Sequence, residues 1–392
     1  MIDTKRLQRL PPYVFAQINE QKLKLRQQGV DVIDLGMGNP DQPAPPHIIE
    51  KLCEVVHDEK AHRYASGGSR GLPALRQAIC RHYQGRFGVE LDWQREVITT
   101  IGSKEGLAHI CLALLDPGDL AVVPNPAYPI HIYGVAIAGG NVLSIPLRPE
   151  KEFVPEMEMI TREVWPRPKL MIFNFPNNPT TATVDVSFFE EVVAFARKRD
   201  IIVIHDLAYS DIAFDGYVAP SFMQVPGAKE VGVEFFTMSK SYNMAGWRVG
   251  FCVGNPDVID ALAKIKGYMD YGIFTPIQVA AITALDGPQD CVKAAAKLYQ
   301  KRRDTLVRGL NRIGWPVLKP RASMFVWAPI PGRYREMGSV AFAMQLMKEA
   351  EVAVSPGVGF GDMGEGYVRI SLVENEQRIQ QAVRNIKKCL KL

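Results

Sequence analysis

Cysteine is scarce and scattered: Cys53, Cys80, Cys111, Cys252, Cys291 and Cys389 are the only six in 392 residues. No C-x-x-C pair and no histidine at zinc-ligand spacing accompanies them, which excludes a disulfide scaffold and a zinc module. The expectation is buried, reduced thiols in a cytoplasmic protein. An excess of charge of one sign is also missing. Lys plus Arg at 46 against Asp plus Glu at 42 leaves a formal charge of +4, too little at this length to imply nucleic acid or another polyanion as partner. The basic run Lys301-Arg302-Arg303 reads as a solvated helix face. No apolar run approaches the roughly 18 residues of a membrane span, and Met1-Ile2-Asp3-Thr4-Lys5 lacks the apolar core of a signal peptide, so no membrane association is expected.

The usual nucleotide signatures fail as well. Gly359-Phe360-Gly361-Asp362-Met363-Gly364 fits G-x-G-x-x-G, but it precedes the strand-like Tyr367–Leu372 instead of a helix that could hold a pyrophosphate, so a turn-rich loop is expected. No G-x-x-x-x-G-K-[ST] loop exists.

What is present is the balance of an ordered globule, 47% hydrophobic and 22% charged, in a chain two to three times the usual single-domain size of roughly 100–150 residues. From about residue 95 to 255, short β-branched or aromatic runs alternate with helical periodicity: Val97–Ile101, Leu120–Val123, Asn141–Ile145, Leu170–Phe173, Ile201–His205, Phe235–Met238 and Val249–Val253. Between the first two, Leu107, Ile110, Cys111 and Leu114 share one helix face, and Asp116-Pro117-Gly118-Asp119 ends it. These features predict an α/β fold, a mostly parallel seven-stranded sheet with helices on both faces. After about residue 290 comes a long charged helix, Val292 to Ile313, then strands at Met324–Ala328 and Tyr367–Leu372. A closing amphipathic helix follows, with Ile379, Ala382, Val383, Ile386, Cys389 and Leu390 on one face. The expected division is a large domain at 46–290 and a smaller α+β domain formed by 1–45 and 291–392.

Open α/β sheets bind ligands beyond the carboxyl ends of their strands. Ser103 and Lys104, Asn178, Asp206 and Lys240 each stand just past such an end. Singly they read as a helix cap, a turn, another cap and a surface lysine. Together they suit a cofactor with an aldehyde, a ring nitrogen and a phosphate: Lys240 to condense with the aldehyde, Asp206 to pair with a protonated ring nitrogen, Ser103 at a helix N-terminus to bind the anion.

Thr237-Met238-Ser239-Lys240 with Gly246-Trp247-Arg248-Val249-Gly250 downstream resembles the lysine signature of fold-type-I pyridoxal-phosphate aminotransferases of class I/II. Asn177-Asn178-Pro179-Thr180 and Asp206-Leu207-Ala208-Tyr209 resemble the ring-binding segments of that family, and the likeness runs from about Leu10 to the C-terminus. The resemblance implies pyridoxal 5′-phosphate as cofactor, amino-acid and 2-oxo-acid substrates, and a homodimer with shared active sites. It assigns Lys240 as the covalent anchor and proton carrier, and Asp206 to the ring nitrogen. Asn178 and Tyr209 go to the ring oxygen, and Tyr128 stacks on the ring. Ser103, Thr237, Ser239 and Arg248 fall to the phosphate, joined by Tyr64 from the neighbouring subunit. Arg369 matches the arginine that grips the substrate carboxylate, near Gly38, and Tyr13 resembles a residue that closes over the substrate.

The segments Leu10–Phe15, Ile101–His109 and Ser239–Arg248 resemble the bacterial alanine transaminase branch, a neighbour of LL-diaminopimelate and some aspartate aminotransferases. Two departures stand out. Thr181 occupies a place often written Gly, so its turn must avoid positive φ or tolerate strain. Gly267 to Thr275 contains no arginine where animal-type aspartate enzymes place one, leaving Lys104 as the cation that could replace it. The expected reaction is amino exchange between alanine and 2-oxoglutarate, with LL-diaminopimelate or aspartate transamination as alternatives. A non-catalytic ligand-sensing module is the alternative of another class; no helix-turn-helix region precedes Leu10.

Overall fold

The computed structural model describes residues 4–12, 14–160 and 164–391. Its strands are β1 (Ile33–Asp34), β2 (Val97–Thr100), β3 (Leu120–Asn125), β4 (Asn141–Pro146), β5 (Pro168–Asn174), β6 (Ile202–Asp206), β7 (Gly232–Thr237), β8 (Gly250–Gly254), β9 (Phe325–Pro329), β10 (Val352–Ala353), β11 (Ser355–Pro356) and β12 (Tyr367–Ser371). Seven of them form one sheet in the order β2-β8-β7-β6-β5-β3-β4. Only β8 runs antiparallel to its neighbours. The link from β7 to β8 holds just a one-turn helix, Met238–Ser241, and a short 3-10 turn, a return and not the longer crossover that a parallel pair requires. Strands such as β7 are buried along their whole length, which accounts for runs of apolar residues without alternation in a sheet covered on both faces. The helix Ser103–Leu114 joins β2 to β3 as expected, but four strands separate those two in the sheet.

A second core gathers Ile33 and Leu35 with Val326, Phe342, Leu346, Val368, Ile379 and Ile386. Here β9, β12 and β11 form an antiparallel sheet, and β1 pairs with β10, which ties Ile33 and Asp34 to the C-terminal part. Residues Ala208 to Phe214 also enter this core, and the helix Asp290–Arg312 puts Val292 in the first core and Leu306 and Leu310 in the second. The glycine-rich stretch near 360 consists of 3-10 turns before β12, as its context implied. No described helix is long and apolar enough to cross a membrane.

Two expectations meet the structure differently, and a third, left between two outcomes, is decided. Arg302 and Arg303 are no solvated face: they are 2% and 0% exposed. Arg302 makes a two-pronged pair with Asp41, at 2.7 Å on each arm, and Arg303 pairs with Asp215 and Asp304. Of the cysteines, all free, only Cys111 and Cys252 are buried; Cys53 is exposed. Thr181 tolerates strain, with φ at +63°.

Candidate active site

The carboxyl ends of β2, β5, β6 and β7 open into one cavity of about 750 Å³, closed from the other side by residues 37–41, Phe325, Phe360 and Arg369. Its lining includes Gly38, Ser103, Lys104, Tyr128, Asn178, Asp206, Tyr209, Thr237, Ser239, Lys240, Arg248 and Arg369. One of the expected residues stands apart. Tyr64 is 86% exposed and packs edge-on against Tyr271 at 5.2 Å, away from this chain's own cavity. Tyr13 lies outside the described residues.

Lys240 follows β7 directly and its Nζ donates to the Gly38 carbonyl at 2.6 Å. Burial, with the nearby charges of Arg369 and Arg248, lowers its ammonium to about 8. An amine of that basicity is partly free near neutrality and can act as nucleophile and base. Gly38 itself is needed for room: a Cβ there would lie 2.5 Å from the Phe325 ring.

Asp206, the last residue of β6, is 3% exposed. Its Oδ2 meets His131 Nε2 at 3.0 Å, and its main-chain carbonyl accepts from Asn174 Nδ2 at 2.7 Å. The other carboxylate oxygen, Oδ1, is buried with no hydrogen-bond partner among the described residues. A buried carboxylate oxygen left so is costly unless a donor arrives from the cavity.

Arg369, on β12 and 6% exposed, donates to Asn178 Oδ1 at 2.8 Å and to the Gly36 carbonyl at 3.0 Å. Its guanidinium lies 4.0 Å from the Phe325 ring and 4.6 Å from that of Phe360. Asn178 in turn donates from Nδ2 to the Tyr209 hydroxyl at 3.3 Å, and burial pushes the Tyr209 phenol well up. At the far end, Ser103 opens its helix after Gly102, whose φ is +74° and whose Cβ would strike the Arg248 guanidinium. Thr237 Oγ1 donates to Ser239 Oγ at 2.9 Å, and both residues line the cavity with Ser103 and Arg248. This corner has the backbone donors, hydroxyls and cation of an anion site.

Sequence reasoning overlooked His131, Asn174, Phe325 and Phe360. Asn174 was one residue past a recognised strand end, and His131 lies three residues after Tyr128, in the first turn of the helix Pro129–Ala138 that Tyr128 precedes, so both had local signals. The two phenylalanines had none, being apolar residues among many.

A lysine amine made less basic by burial, a buried carboxylate oxygen without a partner, a corner of backbone donors, hydroxyls and a cation, and an arginine packed on two rings share one cleft, an arrangement that suits chemistry through an amine on anionic substrates. The chain belongs to the aminotransferases of class I and II, whose family model matches residues 30–386. It is 58% identical to the glutamate-pyruvate aminotransferase AlaC of Escherichia coli, over 97% of this chain and 92% of that protein. Identity is 48% to an LL-diaminopimelate aminotransferase of Moorella thermoacetica, covering 100% of this chain and 99% of the other. Among solved structures, substrate-bound BacF from Bacillus subtilis superposes with a TM-score of 0.95 at 36% identity, covering 99% of this chain and 98% of that one. The protein is thus a transaminase acting on amino and 2-oxo acids, of a family that depends on pyridoxal phosphate.

Proposed function

We propose that this protein is a cytoplasmic, homodimeric glutamate-pyruvate aminotransferase that holds pyridoxal 5′-phosphate in the cavity described above. The observation that carries the cofactor assignment is the partnerless Asp206 Oδ1, which suits the N–H of a protonated pyridine ring. When bound, the cofactor supplies an aldehyde that exchanges amines and a ring that accepts electrons. Lys240 would anchor it and, as a free base, would move the proton at the substrate Cα. Asp206, held by His131, would pair with the ring nitrogen. Asn178 and Tyr209 would meet the ring oxygen, Tyr128 would lie against the ring, and Ser103, Thr237, Ser239 and Arg248 would hold the phosphate, with Tyr64 serving the site of the other subunit. Arg369 takes the substrate α-carboxylate with its planar fork. Residues 46–290 supply most of this set; 1–45 and 291–392, the second domain, supply Gly38, Arg369 and the lid position Tyr13.

For the substrate pair, the identity to AlaC is joined by the absence of arginine between Gly267 and Thr275. Among the cavity's cations Lys104 has no carboxylate partner among the described residues, and its Nζ lies 5.9 Å from the Tyr128 ring centroid, so a glutamate side chain can be met without a fixed clamp. The test is a half-reaction screen that follows the visible band of the yellow holoenzyme with single amino acids. Alanine and glutamate should convert it readily, aspartate and aromatic amino acids more slowly. Aspartate matching alanine in specificity constant would move the assignment to aspartate transamination with Lys104 as clamp. The second reading, favoured by the 48% identity to an LL-diaminopimelate aminotransferase, would prevail if LL-diaminopimelate alone reacted fast.

A further inference from the structure

Behind the anion corner, away from the reacting groups, sits a fully buried ammonium. Lys266, on the helix Pro256–Met269, has a side chain 0% exposed. Its Nζ donates to Glu105 Oε1 at 2.9 Å and to both oxygens of Asp270, at 3.1 and 2.9 Å. His109 Nδ1 adds a 2.5 Å contact to Glu105. Glu105, His109 and Asp270 bring potential metal-ligand atoms within 4.8 Å of one another, but the Lys266 ammonium lies among them and already supplies the cation.

Each carboxylate then spends its remaining capacity on backbone. Glu105 Oε2 accepts the Ile101 N–H at 2.6 Å, in the turn that leads through Gly102 into Ser103. The carbonyl of that same Ile101 accepts from Arg248 at 3.4 Å. Asp270 Oδ1 accepts the Gly272 N–H at 2.9 Å, in a turn where Tyr271 and Gly272 both have positive φ. There a Cβ on Gly272 would lie 2.7 Å from the Gly68 carbonyl, and the Tyr271 ring meets Tyr64.

We propose that Lys266 is a positioning residue for the phosphate end of the site: through Glu105 and Asp270 it joins the helix start that presents Ser103 to the turn that seats Tyr64. A buried ammonium holds its carboxylates in place because separating them would leave charges unpaired in the interior. Without it, Glu105 and Asp270 would face each other as like charges and the Ile101 N–H would lose a fixed acceptor. Burial alone would raise the Glu105 carboxyl, yet the His109 contact and the Lys266 charge hold it down at about 2, so the carboxylate stays ionised as an acceptor. In a dimer with shared sites, one lysine would thereby set the phosphate grip of its own site and the tyrosine lent to the other.

The proposal rests on the reading of Ser103 and Arg248 as phosphate contacts, and the test separates the two. Dissociation constants of pyridoxal phosphate and of pyridoxal, which lacks the phosphate, are measured for the full-length wild type and for Lys266→Met. Pyridoxal phosphate should bind at least about tenfold more weakly to the variant while pyridoxal changes less than about twofold. Equal weakening of both would mean general loosening and overturn the positioning role, as would an unchanged constant for pyridoxal phosphate. If Lys266→Met does not fold, Glu105→Gln leaves the Lys266–Asp270 pair intact and must give the same selective loss, or the proposal falls. A wild type that binds no pyridoxal phosphate overturns the functional reading and this proposal with it; a wild type that binds it beside variants that bind it equally well overturns only the role of Lys266.

Discussion

Lys240 combines two demands that pull its basicity down. Burial disfavours its ammonium, and the Arg369 and Arg248 charges add to that, giving a value of about 8. Below that pH the protonated form predominates and has no lone pair to attack an aldehyde. As pH rises through it, the free amine appears. Uptake of pyridoxal phosphate by the cofactor-free protein should therefore accelerate with pH and level off above about 8. Lys240→Ala should lose the visible band and at least the 10²–10⁴-fold contribution, roughly, of general acid-base catalysis; near wild-type turnover by that variant would sink the assignment. Arg369 faces the opposite demand, a permanent charge in a fixed plane. Held between Phe325 and Phe360 and bonded to Asn178 and Gly36, it offers a fork that a lysine cannot copy. Arg369→Leu should weaken carboxylate binding by about 3–5 kcal/mol, read as a rise in KM for alanine and 2-oxoglutarate together. Arg369→Lys should fail to restore it, and recovery to within about threefold of wild type would reduce Arg369 to a point charge.

At the scale of elements, the strand-end rule found Ser103, Lys104, Asn178, Asp206 and Lys240, and the family resemblance supplied the rest of the expected lining. The segments predicted from Val97 to Val253 correspond to the seven strands of the central sheet, and the residues just past β2, β5 and β7, with Asp206 closing β6, do converge on one cavity. Local apolar periodicity is short-range and survives in the sequence. Partners remote in sequence do not: Arg302 looked solvated because Asp41 lies 261 residues away, and the return of β8 depended on what the β7–β8 link lacked. Thr181 shows the intermediate case, in which a family departure pointed to strain but could not say whether the backbone avoided it. Its φ of +63° suits glycine; a β-branched residue there costs about 1–3 kcal/mol, against about 0.5–1 kcal/mol of extra chain entropy that glycine would lose on folding. Thr181→Gly should thus raise the urea midpoint, corresponding to a gain of about 1 kcal/mol. A lower midpoint would show that the Thr181 side chain contributes more than its strained backbone costs.

At the scale of the whole molecule, one chain leaves an unusual surface outside its own cavity. Tyr64 is 86% exposed and is joined by Tyr268 at 89%, Met269 at 57% and Tyr271 at 50%. Large aromatic side chains grouped in this way favour burial against a partner, and a two-fold contact would cover two such patches and complete two sites at once. This makes the shared-site reading testable without an image of the dimer. Tyr64→Phe and Lys240→Ala chains, each impaired alone, are unfolded together in equal amounts and allowed to reassemble. Random pairing gives mixed dimers in about half the population, and in each the site built on the intact Lys240 receives the intact Tyr64 of the other chain. About a quarter of all sites should then be fully native, so activity must rise above the sum of the two separately refolded variants. Activity that merely tracks the amount of Tyr64→Phe chain would mean that Tyr64 serves no neighbouring site, and the exposed tyrosines would need another partner.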